Sequence, residues 1–289
     1  IISGNTGYGV KIGPNHASII ERNYIGTDES YRDLGNGGCG IDLRGMSTLS
    51  GIPMAPESIE DANVIGFNGE DGVIINPGNP ALSAKICNNY IGVSRKGTPI
   101  PNKGYGIRIV SGSFNLPVSI INNHIGYNEK GDVSEEIGSS ISQNVFWGNK
   151  NGKAIENNTG YKTWEGNIPV IKEARKVGDS VYVDVQVKDH FDADVELYET
   201  GLDPQSAKKL LAKSFVNYDE GGSVTFAVPV SDLEGGLYNY FVATAYYTGN
   251  KFTTELSSPY TFVKPLELGD YYVKENGSGD STGASWENA

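Results

Sequence analysis

Residues 23–43 read NYIGTDESYRDLGNGGCGIDL. The stretch opens on Asn-x-Ile-Gly, runs through a polar, glycine-rich loop, and closes on Gly followed by apolar, variable, apolar. Both ends recur. The opening tetrad returns as Asn63-Val64-Ile65-Gly66, Asn89-Tyr90-Ile91-Gly92 and Asn123-His124-Ile125-Gly126, with a degraded copy at Asn144-Val145-Phe146-Trp147. The closing motif stands at Gly9-Val10-Lys11-Ile12, Gly40-Ile41-Asp42-Leu43, Gly72-Val73-Ile74-Ile75 and Gly106-Ile107-Arg108-Ile109. Successive tetrads start 40, 26, 34 and 21 residues apart. A constant strand core with loops of elastic length is the mark of a stacked repeat.

The closing motif has the period-2 pattern of a strand with one buried face. Nowhere does a 3.6-residue period persist, and Gly, Asn and β-branched residues are poor helix formers. The spacing therefore predicts a parallel β-helix of about six coils, each ~4.8 Å above the last. Ile25, Ile65, Ile91 and Ile125 would then form an inner apolar ladder. Asn23, Asn63, Asn89 and Asn123 would form an amide ladder at one corner, each side chain bonded to the next. Stacking explains why the tetrad recurs: the same corner needs the same chemistry on every coil.

The texture changes near residue 160. The first 160 residues hold 20 asparagines and 26 glycines, the remaining 129 only six and twelve; both are turn residues that tolerate positive φ. Beyond about residue 165 come longer alternating runs: SVYVDVQVKD, DVELYET, GSVTFAVPVSD, LYNYFVATAYYTG and KFTTELSSPYTFV. Turns at Glu220-Gly221-Gly222 and Glu234-Gly235-Gly236 punctuate them. Such runs predict an antiparallel, immunoglobulin-like β-sandwich, with residues 202–211 (LDPQSAKKLL) as a helical turn or an edge loop. The expectation is an all-β chain: parallel β-helix over 1–159, sandwich over 160–265 entered through a junction at 157–166, and a tail over 266–289.

These motifs carry a resemblance. Asn-Tyr-Ile-Gly-Thr-Asp, then Gly-Asn-Gly, then Gly-Ile-x-Leu is similar to the coil of bacterial secreted or surface-attached right-handed parallel β-helix repeat proteins, over about residues 1–156. The later strands resemble the β-sandwich that often follows such helices. The resemblance implies a large exported protein at the bacterial outer surface, but helices of this kind host lyases, hydrolases, adhesins and passive stalks alike. The opening IISGNTGYGVKI reads as a coil entered in its middle, and the closing DYYVKENGSGDSTGASWENA resembles the start of a further β-helix. The chain is thus expected to be an excerpt of a longer polypeptide, monomeric as it stands.

Charge narrows the partners. The net charge is −12: 12 basic and 15 acidic side chains in the first 160 residues, 11 and 20 in the rest. Neither part has the basic excess that a phosphate backbone or an anionic membrane surface calls for. No apolar stretch approaches the ~18 residues of a membrane span. Cys39 and Cys87 have no neighbouring Cys or His, so their spacing is not that of a metal site. They are two small buried thiols or a disulfide, and the spacing favours thiols. Gly35-Asn36-Gly37-Gly38-Cys39-Gly40 matches a dinucleotide-binding pattern, yet a loop precedes it and a strand follows, the reverse of what a pyrophosphate cradle requires.

Candidate sites are rows that stacking would display. With Ile pointing inward, the tetrad's variable position points outward, giving Tyr24, Val64, Tyr90, His124 and Val145. Tyr24, Tyr90 and His124 could offer a carbohydrate platform, since an aromatic face suits the apolar face of a pyranose, or simply cover sheet surface. The second outward row reads Lys11, Asp42, Ile74 and Arg108, which suits charge pairing between coils better than a lyase or a two-carboxylate glycosidase site. Acids collect after the first tetrad (Asp28, Glu29, Asp33) and the fourth (Glu129, Asp132, Glu135, Glu136). Read as equivalent loops, either group could hold Ca²⁺, with Asp28, Asp33, Glu129 and Asp132 as ligands, or be ordinary solvated acids. No cofactor is otherwise implied. In the sandwich, Tyr238 and Tyr240 share one face. The reading that follows is a non-catalytic surface module, acting as a spacer, an adhesin or a carbohydrate-contacting face toward a glycan or host-surface partner. The alternative is a polysaccharide lyase or glycoside hydrolase of β-helix type.

Overall fold

A computed structural model describes residues 1–264 apart from 15, 45, 51–61, 77–83, 111–117, 137, 149–151, 159–166, 188–191, 202–205, 218–221 and 250–251. The expected tail at 266–289, most of the 157–166 junction and the Glu220-Gly221 turn residues lie outside the described residues. The described chain is all-β, with a 3-10 turn at Val230–Asp232.

Its first part visits three parallel sheets in strict rotation. The first sheet has six strands, β1 (Val10–Ile12), β4 (Ile41–Leu43), β7 (Val73–Ile75), β10 (Tyr105–Ile109), β13 (Gly131–Glu135) and β16 (Ile155–Asn157). The second has five: β2 (Ala17–Ile20), β5 (Met46–Ser50), β8 (Ala84–Cys87), β11 (Val118–Ile121) and β14 (Ser140–Ser142). The third also has five: β3 (Tyr24–Ile25), β6 (Val64–Ile65), β9 (Tyr90–Ile91), β12 (His124–Gly126) and β15 (Val145–Trp147). Every third strand pairs with the one before it in its own sheet, so each circuit of the chain lies on the previous one.

The tetrads stack in register, Tyr24 on Val64 on Tyr90 on His124 on Val145. Ile25, Ile65, Ile91, Ile125 and Phe146 follow on the inward row, all at most 1% exposed. Side-chain amides run alongside: Asn23 donates to Asn63, Asn63 to Asn89 at 2.8 Å, Asn89 to Asn123 at 3.0 Å and Asn123 to Asn144 at 3.0 Å. A second amide ladder, absent from the sequence reading, runs from Asn5 through Asn36, Asn68 and Asn102 to Asn128, with steps of 2.8–2.9 Å. It ends on Asp132 Oδ1 at 3.2 Å. In both, each amide nitrogen before the last rung donates to the asparagine of the next circuit, so the bonds polarise one another.

The second sheet was also not anticipated as a set. Four of its five strands, all but β5, stand just before a tetrad, and the residue preceding the tetrad has positive φ: Arg22, Asn88, Asn122 and Gln143 at +55° to +58°. That kink turns the chain from one sheet to the next without a glycine.

The second part is antiparallel. One sheet runs β17 (Val170–Val177), β18 (Ser180–Gln186), β21 (Ser223–Pro229). The other runs β20 (Lys209–Val216), β19 (Ala193–Thr200), β22 (Tyr238–Tyr247), β23 (Phe252–Thr253), with β24 (Tyr260–Val263) also on β22. Two expectations are corrected. Residues 209–211 are neither helical turn nor loop but the start of β20, paired to β19. β17 was missed because the register slips between Ile171 and Glu173, breaking its alternation. One face of β22 packs Phe241, Ala243, Ala245 and Tyr247 against Val181, Val183 and Val185. Its other face contributes Val242 which, with Tyr198, Ala207 and Leu256, joins the core of the parallel stack beside Ile141 and Phe146.

Candidate functional site

A parallel stack leaves the last strand of each sheet with unpaired backbone groups, a template for unwanted pairing. Here the antiparallel part closes those edges. On β15, Phe146 N–H donates to Ala207 O at 2.8 Å and Phe146 O accepts from Ala207 N–H at 3.0 Å. On β14, Ile141 N–H donates to the Thr253 hydroxyl at 2.8 Å, which in turn donates to Ser139 O at 3.0 Å. Gln143 N–H donates to Glu196 Oε2 at 2.8 Å. On β16, the Asn157 amide donates to Thr253 O at 3.0 Å.

Glu196 is the hub of this seam. Its Oε1 accepts from the Ser142 hydroxyl, its Oε2 from the Tyr198 phenol at 2.5 Å. Burial, with Glu196 beside it, holds the Tyr198 phenol far above its ordinary pKa. Lys213 Nζ lies 3.4 Å from Glu196 and 3.8 Å from Asp194, and donates to Ser142 Oγ at 3.2 Å. Ser142, Asp194, Glu196 and Lys213 line, with Ser140, Thr244 and Tyr246, a cleft of about 50 Å³. That is room for a few waters, against the roughly 300 Å³ at which small-molecule pockets begin. The Lys213 ammonium lines this cleft beside its two carboxylates, Glu196 and Asp194. The arrangement binds two parts of one chain.

The aromatic row is the second candidate. Tyr90 and His124 stack with ring centroids 4.7 Å apart, and Arg95 lies 5.3 Å over the Tyr24 ring. Arg95 also donates to Ala62 O at 2.8 Å, so the loop after β9 folds back across the face toward the first circuit. Val64, between the two tyrosines, is fully buried. The row is therefore not a bare aromatic strip but a half-buried patch of Tyr24, Arg95, Tyr90 and His124. Burial lowers the His124 pKa and raises that of Tyr90, leaving both rings neutral at neutral pH and Arg95 as the patch's cation.

The acids expected to hold a cation are not brought together. Asp28 is consumed by its own turn: Oδ1 accepts Ser30 N–H at 3.0 Å and Arg32 N–H at 3.1 Å, and Oδ2 takes Arg32 Nε at 2.6 Å. Those Arg32 bonds hold its carboxyl below the ordinary carboxylate range. Asp33 is exposed and caps Gly35 N–H at 3.3 Å. Glu129 is exposed in a turn, and Asp132 is buried in β13 at the foot of the second amide ladder. The loops are not equivalent, because Asp28 and Asp33 precede a ladder asparagine while Glu129 and Asp132 follow one. Among the described residues no group of three His, Cys, Asp or Glu side chains could hold a metal ion.

On the other outward row, one pair lies within a circuit, Asp42 with Arg44, while Arg108 reaches Asp71 of the circuit before and Tyr105 reaches Glu156 two circuits on. Asp42 is bound by Arg44 at 3.0 Å and Asp71 by Arg108 at 2.6 Å, and Tyr105 OH donates to Glu156 at 2.8 Å. Asp42 and Asp71 are 1% and 3% exposed, so neither carboxylate is presented as an acid, base or nucleophile. Lys11 lies over the Tyr8 ring. Both cysteines are buried free thiols. Burial, and a bond to Glu70, push the Cys39 thiol up to about 12, which makes it inert. Asn36, at the heart of the dinucleotide-like glycine run, is a ladder rung. No helix among the described residues is long and apolar enough to cross a membrane. No protein-family model matches the chain, and no curated protein matches it.

Proposed function

We propose that this chain is a non-catalytic module of an exported bacterial surface protein: a right-handed parallel β-helix over 1–159, closed by an immunoglobulin-like sandwich over 160–265, that holds a carbohydrate-contacting face or a neighbouring module at a fixed distance. The rotation through three in-register parallel sheets supports the β-helix reading, and the two antiparallel sheets around one apolar core support the sandwich. The observation that carries the non-catalytic reading is the state of the acids. Asp28, Asp42, Asp71 and Glu196 are each neutralised by a cation or saturated by backbone and hydroxyl donors. A hydrolase needs two carboxylates open to substrate at a set separation. The patch of Tyr24, Tyr90, His124 and Arg95 offers what a sugar ring wants: neutral aromatic faces and a guanidinium donor.

A glycan-array screen of the purified chain tests the contact face, repeated with Tyr24→Ala and Tyr90→Ala combined. Binding that disappears in the double variant, with the circular-dichroism spectrum unchanged, supports a glycan-facing module. An intact chain that binds no glycan removes the carbohydrate role and leaves the spacer.

A further inference from the structure

Glu135 is the one carboxyl on the row that runs Ile12, Leu43, Ile75, Ile109, Glu135, Asn157. It stands in register with Ile109 below and Asn157 above and is completely buried. Its Oε2 accepts a bond from the Ser139 hydroxyl. Its Oε1 has no donor, and the Oδ1 of Asn157 is equally buried and without one. The Asn157 amide nitrogen is already committed to Thr253 O. Two orphaned acceptors on neighbouring register partners would each carry the cost of desolvation. A single proton removes both.

We propose that Glu135 is a neutral carboxylic acid whose O–H donates to Asn157 Oδ1, forming a proton-dependent latch in the seam between the parallel stack and its antiparallel cap. The latch is continuous with the cap: Asn157 holds Thr253 O, and the Thr253 hydroxyl bridges Ile141 N–H and Ser139 O.

The surroundings favour the neutral acid. Charged side chains on β13 and just beyond it are Asp132 and Glu136, both acids. On β10, Arg108 is bound to Asp71. On β16, Glu156 accepts from Tyr105 on the outer face. Next to β23, Glu255 pairs with Lys153 at 2.7 Å. None of these gives Glu135 a cation. Burial pushes its carboxyl up to about 8, against the opposing effect of the Ser139 bonds. The folded pKa thus lies above the ordinary value of ~4.3. Between those two pH values the folded chain keeps a proton that the unfolded chain releases, so stability falls as pH rises through the window and levels off above about 8.

Thermal unfolding of the whole chain from pH 5 to pH 9 tests this, comparing wild type with Glu135→Gln. The glutamine amide can donate to Asn157 and accept from Ser139 at every pH. Wild type should lose roughly 5–10 °C more than the variant between pH 5 and pH 8, given a few degrees per kcal/mol for a chain of this size. Parallel profiles overturn the proposal. So does a wild-type transition that shifts on adding Ca²⁺ or EDTA, since a cation would then occupy the place assigned to the proton. Should Glu135→Gln fail to fold, infrared spectroscopy of wild type at pH 7 decides: a protonated-carboxyl carbonyl band is expected, and its absence refutes the latch.

Discussion

At the scale of the residue, the amide ladders do what the apolar rows cannot. Apolar rows fix which face is inward, but they hold one circuit on the next only through non-directional contacts. Each ladder asparagine instead has assigned partners: Asn89 accepts from Asn63 and donates to Asn123 and to Cys87 O, all while fully buried. Replacing Asn89 with Leu strands donors and acceptors above and below it and should cost about 3 kcal/mol or more. Asn23→Leu at the open end of the same ladder should cost no more than about 1 kcal/mol, because water replaces its missing neighbour. Urea unfolding midpoints of the two variants, with unchanged slopes, check the contrast. The first ladder was legible because its asparagine sits in a fixed tetrad. The second was not. Asn68 and Asn128 follow their glycines by two residues, whereas Asn36 and Asn102 follow Gly26 and Gly92 by ten. Two loops of equal length, on alternate circuits, hide a rung that geometry keeps constant.

At the scale of the element, strands of two to five residues cannot be stable singly, and their edges are where they fail. Nature's usual device is a strand that continues the sheet. β14 is closed instead by side chains, with Thr253 acting as donor and acceptor at once. Thr253→Val keeps the volume but removes the hydroxyl, leaving Ile141 N–H buried and unbonded; a loss of about 1–3 kcal/mol is expected, read from the urea midpoint. Elements of this kind were only partly legible. Gly-apolar-x-apolar announced the first sheet and the tetrad the third, but the second sheet's Ala-Ser-Ile-Ile and Ala-Lys-Ile-Cys strands run into the tetrads without a turn signal. The positive φ at Arg22 and Gln143 falls on residue types that do not announce a corner, and at Asn88 and Asn122 it falls on asparagines that stand beside the ladder asparagine and merge with it. β20 was obscured at its start, where Lys208-Lys209-Leu210-Leu211 shows no alternation, although Lys213 further along turns into the seam.

At the scale of the whole molecule, the two parts share a core, since Tyr198, Ala207, Val242 and Leu256 pack with Ile141 and Phe146. The sequence announces each part through its own period, 2 within strands and ~20–40 between circuits, but nothing local marks contacts between Glu196 and Gln143. That seam exists only after both parts have folded, so no motif encodes it. The same holds for the candidate patch: the tetrad predicted the row of Tyr24, Tyr90 and His124, while Arg95 arrives from a loop by folding back. The most direct test of the account is amide hydrogen exchange on wild type and Glu196→Ala. If the antiparallel part caps the stack through Glu196, exchange in residues 140–147 should quicken by about 100-fold, the equivalent of ~2.8 kcal/mol, while β4, β7 and β10 stay protected. Unchanged protection across 140–147 would mean that the stack closes its own end, and the capping role assigned to the second part would be wrong.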